Sequence, residues 1–365
     1  MTLEFKQPLH QNYIPALDGL RGIAILMVIS FHYFNQYTPI FSLGWSGVDL
    51  FFVLSGYLIT SRLIYTFDKP HYFYRFYKNR ALRILPLLYG VLIGFYLIIF
   101  FLVSKSNLSG FQFYKDHIVS FFLFFQNWSL MDHSNLAENH LEHFWSLAVE
   151  EQFYLIWPFF IYFFSKSKYL NEILITWIFC VITLRTTVFF LSPADYKVYF
   201  YNSFCRMDGF IVGAMLFFIH NKRIKAFPKY ILIPLIFLLT AGLLLDSPLP
   251  YGSVFIPSIG LTLLAVFYGI LMHFAIKKKY RVWNSILNLN WLIYIGRISY
   301  GLYIFHWLVL RFLSGYISKY LGLYTNSATS TNEFIALFIC LAITFGISII
   351  SFRYYESYFL RLKRR

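Results

Sequence analysis

Residues 14–34 read IPALDGLRGIAILMVISFHYF. The stretch matches the roughly 20 residues a helix needs to cross a bilayer, where lipid offers its backbone no hydrogen-bond partner. It nevertheless carries Asp18, Arg21 and His32. A cleavable signal peptide is excluded, because the stretch follows a polar segment, is charged inside and leads into no small-x-small cleavage site. It reads as a first membrane span that stays in the protein. Ionisable groups cost roughly 2.5–3.5 kcal/mol each at the bilayer centre, so those in this span are expected to face a cavity.

The remaining sequence extends this reading. Of 365 residues, 59% are hydrophobic and only 13% charged, about half the roughly 25% charged content of soluble domains. Too few polar groups are present to cover a soluble fold of this size. About ten spans are predicted, at 14–34, 45–66, 84–104, 144–165, 171–191, 206–220, 230–245, 253–276, 291–313 and 334–355. The expected fold is therefore an all-α polytopic membrane protein, one membrane-embedded domain over 1–365. Residues 105–143 form the largest connection, and Ile118 to Trp128 within it reads as an interfacial or re-entrant helix.

The formal charge of +15 is placed very unevenly. Connections at 1–13, 67–83, 166–170, 221–230, 277–290 and 356–365 hold 20 Lys and Arg, whereas the alternate connections hold four. By the positive-inside rule, both termini are cytoplasmic. The Lys277 to Lys279 run and the tail from Arg361 to Arg365 follow spans directly, so they read as topology signals or contacts with anionic lipid, not as a nucleic-acid site. Cys180, Cys205 and Cys340 show no metal-ligand or redox spacing.

Arg21 and His32 are eleven residues apart, three helical turns plus roughly 20°, so they share one face about 16 Å apart. That geometry would suit a long anionic donor entering from the cytoplasm, with the arginine at the mouth holding its phosphates and the imidazole further in taking a proton from a nucleophile. The bland alternative is a snorkelling Arg21 and a His32 bonded to a neighbouring helix. Asp49, in GVDLFFVLSGYLI, either orients the imidazole or caps its own helix. Arg80 and Arg83 point the same way at the start of the third span, to hold phosphates or to set topology. In HFWSLAVEEQFYLIWP, Glu150 and Glu151 differ by 100°, so one is expected to line a cavity and the other to pair with a base. Arg185, Arg206 with Asp208, Arg297, His306 and Arg311 also lie in or near spans, a network equally open to a transporter.

Six motifs in order resemble the acyltransferase type 3 family, bacterial integral-membrane enzymes that O-acylate cell-envelope sugars. They are LDGLRGIAIL with Arg21 and then His32, GVDLFFVLSGYLI, Arg80 and Arg83 in NRALRILP, HFWSLAVEEQFYLIWP, CRMDGFIVGAML and GRISYGLYIFHW, covering about Ile14 to Glu356. The resemblance implies ten spans in the bacterial inner (plasma) membrane. It also implies acyl transfer, usually of acetyl from acetyl-CoA, to a hydroxyl of a polysaccharide such as lipopolysaccharide O-antigen, or of a lipid-linked sugar. Residue by residue, His32 would be the base and Arg21 a donor-orienting group beside Asp49. Arg80 and Arg83 would hold coenzyme A phosphates; Trp145, Glu150, Glu151 and His306, read from the residues themselves, are candidates to bind the acceptor or line the cavity. Acyl-CoA is a substrate here, with no tightly bound cofactor or metal expected.

Some members append a periplasmic hydrolase-like domain. Here none is expected, so His32 would complete the transfer or a separate periplasmic transferase would. The competing readings are a transporter or flippase without acyl chemistry, and an O-acyltransferase of a small secreted metabolite.

Overall fold

Pro15 occupies the first turn of helix α1 (Pro15–Phe34), where its missing N–H costs nothing and its fixed φ favours the helix. The computed structural model describes residues 13–102, 111–131, 140–193, 195–221, 240, 254–325 and 330–363. Two short turns of 3₁₀ helix lead from α1 into α2 (Gly47–Tyr65), and α3 (Tyr72–Leu102) follows. Helices α4 (Trp145–Phe164), α5 (Leu170–Leu191), α6 (Met207–His220) and α7 (Leu261–Ile276) come next. The chain closes with α8 (Asn290–Arg297), α9 (Ser299–Thr325) and α10 (Ser330–Ile350). No strand occurs among the described residues.

Among the described residues, seven helices are long and apolar enough to cross a membrane, or eight if α8 and α9, bent by 71° at their junction, count as one span. Helix α4 has the length, 20 residues, but Glu150, Glu151 and Gln152 make it too polar to join them. The predicted span 230–245, apart from Thr240, and the chain ends 1–12 and 364–365 lie outside the described residues. In the 105–143 connection, residues 112–116, 118–122 and 126–131 form three short helices. Phe124 breaks the run with a φ of 61°, so none crosses.

One boundary differs markedly from expectation. The basic stretch 67–83 is predicted as a loop before the third span, yet α3 begins at Tyr72 and carries Arg80 and Arg83 inside it. Pro70 ends the preceding turn, and nothing from Tyr72 to Arg83 breaks a helix. The apolar stems of the arginines let the helix continue while their heads stay hydrated or bound.

The burial pattern separates centre from rim. The apolar segments ending in α2 and α6 are 78% and 83% buried, against 33%, 17% and 28% for those of α3, α5 and α10. Phe100, Phe101, Leu191 and Ile350 are exposed on the outer helices, as a lipid-facing surface requires. At the centre, α2 and α6 pack backbone against backbone. A Cβ at Gly56 would lie 2.0 Å from the Phe210 carbonyl oxygen, and one at Gly213 would lie 2.1 Å from that of Val53. Only glycine permits this approach, which brings the buried charges of both helices within reach of one another.

Candidate active site

Two cavities open between these helices and share Val48 and Tyr303 in their walls. The first is lined by Arg21 of α1, Arg80 and Arg83 of α3, Ser55 of α2, and Glu150 and Tyr154 of α4. Arg21 donates from Nη2 to Ser299 Oγ at 3.3 Å, while its buried Nε has no hydrogen-bond partner. Arg80 lies over the Tyr154 ring, 5.0 Å from the centroid. Glu150 accepts from the Ser55 and Tyr154 hydroxyls. Among the described residues no salt bridge ties Arg21, Arg80 or Arg83 to a carboxylate. Three guanidiniums, with no ion pair to a carboxylate among the described residues, give this wall the donors that an anionic group would need.

The second cavity is lined by His32, His143 and Glu142 among Trp45, Trp145 and Trp307, with Tyr196 and Tyr201. Trp145 stacks on Tyr201 at 5.0 Å, and Trp307 lies 4.7 Å from the His32 ring. Glu142 pairs with Lys197 at 2.8 Å and accepts from the Tyr201 hydroxyl at 2.7 Å. Aromatic walls with a few fixed polar groups suit a ligand that has both apolar faces and hydroxyls, as a sugar ring does. Tyr303 stands between the cavities, its hydroxyl bonded to the His143 carbonyl at 2.7 Å and to Ser146.

The protonation pattern of the histidines follows from a carbonyl. His306, fully buried, places Nδ1 2.7 Å from the Tyr303 carbonyl oxygen, which can only accept. Nδ1 of His306 is therefore the N–H, and in the neutral ring Nε2 is an acceptor. That Nε2 lies 3.0 Å from His32 Nδ1, so His32 donates from Nδ1 and its Nε2 keeps the lone pair. A base with its lone pair turned to an aromatic cavity can take a proton from a hydroxyl there.

The structure brings Arg21, Arg80, Arg83 and Glu150 together, and His32, His306 and Trp145 on the other side. It does not join Asp49 to His32. Asp49 accepts from Arg206 Nη2 at 2.9 Å, and Arg206 is wrapped by Phe200, Trp145 and Phe52 at 4.4, 5.5 and 5.7 Å. Imidazole orientation falls to His306 instead, because α9 and not α2 presents its face to His32. Glu151 has no ion pair among the described residues, contrary to the expected pairing of one of the two glutamates. Every side-chain nitrogen of Arg185 is bonded, to Asp208, Thr262 and the carbonyls of Cys205 and Pro257, a tie between α5, α6 and α7. His143 and Tyr303 were not singled out from sequence. Their only signal was position, inside HFWSLAVEEQFYLIWP and GRISYGLYIFHW.

The Acyltransferase domain model matches residues 14–353. The chain belongs to the acyltransferase type 3 family. It is 29% identical over 373 aligned positions to "Peptidoglycan O-acetyltransferase OatA" of Listeria monocytogenes, covering 95% of this chain and 56% of that protein. It is 30% identical over 320 positions to "O-acetyltransferase OatA" of Staphylococcus aureus, covering 84% of this chain and 52% of the relative. The acyltransferase chain thus spans about half the length of the relatives it matches. No solved structure matches it. Together with its apolar helices, the match makes this a multi-pass membrane protein of an acyltransferase family.

Proposed function

We propose that this domain transfers an acyl group, acetyl in the first instance, from cytoplasmic acyl-CoA to a hydroxyl of a cell-wall or other cell-surface sugar. The observation that carries the reading is the pair of cavities sharing Tyr303 and Val48, one rich in unpaired guanidiniums and the other holding His32 among aromatic rings. With the basic connections on the cytoplasmic side of the plasma membrane, the arginine cavity opens inward and the histidine cavity outward. The relatives named as O-acetyltransferases support the reaction class.

In this reading Arg21, Arg80 and Arg83 hold the phosphates of coenzyme A, and its thioester arm passes Tyr303. His32 Nε2 takes the proton of the sugar hydroxyl. The oxygen attacks the thioester carbonyl, the new C–O bond forms, the C–S bond breaks, and the thiolate receives the proton from His32. Water exclusion by the aromatic walls protects the thioester from hydrolysis.

The test uses the full-length protein in lipid nanodiscs with labelled acetyl-CoA. Wild type should release coenzyme A only when a glycan acceptor is present, and His32→Ala should lose about 10²–10⁴ of that rate. Full activity in His32→Ala removes the assigned base, and transport that persists without acyl-CoA replaces the enzyme reading altogether. Acetyl trapped on the protein by rapid quench would replace direct transfer with a two-step route.

A further inference from the structure

His143 carries a feature that the reading above does not use. It is 4% exposed and lines the histidine cavity together with His32. Its Nε2 lies 3.2 Å from the Ile304 carbonyl oxygen, which can only accept, so Nε2 is the N–H and, in the neutral ring, Nδ1 carries the lone pair. That Nδ1 is buried and has no hydrogen-bond partner among the described residues. A buried acceptor without a donor costs roughly 1–3 kcal/mol, a cost that the fold alone does not explain. The neighbouring groups offer no relief. Trp307 and Tyr303 approach the ring at 6.5 and 5.7 Å between centroids, and His306 at 5.3 Å edge to face, while the Tyr303 hydroxyl already donates to the His143 carbonyl.

We infer that His143 is an acceptor-binding residue: its Nδ1 accepts a hydrogen bond from a second hydroxyl of the same sugar whose reacting hydroxyl His32 deprotonates. This rests on the O-acyltransferase reading. The His32 and His143 rings each lie against the same His306, at 5.1 and 5.3 Å between ring centroids, and both line the one cavity that would hold the sugar. Both offer lone pairs and neither offers a positive charge, so the pair selects a neutral polyol over an anionic ligand. Trp45 and Trp307 in the same wall provide aromatic surface for the apolar faces of such a ring. His143 thereby selects which hydroxyl reaches His32, because anchoring one oxygen fixes the ring's rotation in the cavity.

Two substitutions separate this role from a structural one. In His143→Gln the side-chain amide reaches the Ile304 carbonyl but offers nothing at the Nδ1 position. In His143→Asn the amide oxygen replaces the Nδ1 acceptor, and the tie to Ile304 is lost. Initial rates are measured in nanodiscs with acetyl-CoA as donor and chitotriose as acceptor. His143→Gln should raise the KM for chitotriose by about 10-fold or more with the KM for acetyl-CoA unchanged, while His143→Asn stays close to wild type. The reverse order, or wild-type behaviour in both, overturns the inference and leaves the enzyme reading standing. A wild type that transfers nothing to chitotriose overturns the underlying reading, and the inference with it.

If neither variant reaches the membrane folded, wild type is assayed with monodeoxy methyl glycosides of N-acetylglucosamine. Loss of one hydroxyl other than the acylated one should raise KM by a similar factor, and an unchanged KM across the series overturns the inference.

Discussion

His306 Nε2 stands 3.0 Å from His32 Nδ1, and His306 Nδ1 is tied in turn to the Tyr303 carbonyl. The bond fixes which nitrogen of His32 faces the cavity, in the way a base is held in one tautomer by a group that does not itself react. His306→Phe removes the acceptor and frees His32 to rotate and to exchange tautomers. We expect kcat to fall by about 10²-fold with the KM for acyl-CoA unchanged. Steady-state kinetics on both substrates check this, and an unaltered kcat would show that His32 needs no partner.

Arg80 and Arg83 sit one helical turn apart on α3 and face a cavity whose only carboxylate, Glu150, is already bonded to two hydroxyls. Each Arg→Gln change should raise the KM for acyl-CoA by about 10–100-fold, the range for a lost bond to a charged group, and leave the acceptor KM alone. Arg→Lys should recover only part of this, because an ammonium cannot reproduce the planar fork that a phosphate accepts. An equal rise in both KM values would point to misfolding.

Lys363 follows α10 at the arginine end of the bundle. Burial and the guanidiniums of Arg83, Arg80, Arg62 and Arg21 push its amine down to about 7. Below about pH 7 it is charged in the free protein, and above it neutral. A polyanion seated among the same groups screens their repulsion and raises the amine toward its ordinary value, so binding takes up a proton above pH 7. The affinity for coenzyme A should therefore weaken as pH rises past 7, by up to about 10-fold per unit. Titration calorimetry across that range checks the slope, which Lys363→Met should flatten. The opposite slope would remove Lys363 from the donor mouth.

Asp49 and Arg206 form a buried pair with side chains 5% and 1% exposed. Asp49→Asn leaves a guanidinium buried without its counter-charge, a loss of about 3–5 kcal/mol, read as a lower unfolding temperature in detergent. Rates per folded molecule should stay near wild type, since Asp49 does not touch His32. Unchanged stability with a collapsed kcat would restore Asp49 as the orienting group.

Some of this architecture was legible in the chain itself. Helical periodicity put Arg21 and His32 on one face, and the low overall charged content, 13%, separated a membrane fold from a soluble one. Both rest on local rules of pitch and hydropathy. Helix α3 extends eleven residues ahead of Arg83, because arginine is a good helix former with a stem long enough to reach a cavity from within a helix.

Sequence alone determined the polytopic helical class, the family motifs, and the identity of His32, Arg21, Arg80 and Arg83 as the groups to watch. It did so because spans, motifs and helical faces are properties of neighbouring residues. Only the tertiary structure decided who partners whom. His32 meets His306 across 274 positions, Asp49 is taken by Arg206 across 157, and Tyr303 divides the space into two cavities. Such pairings depend on how close two helices approach, and here glycines at 56 and 213 set that distance for α2 and α6, which no local pattern encodes.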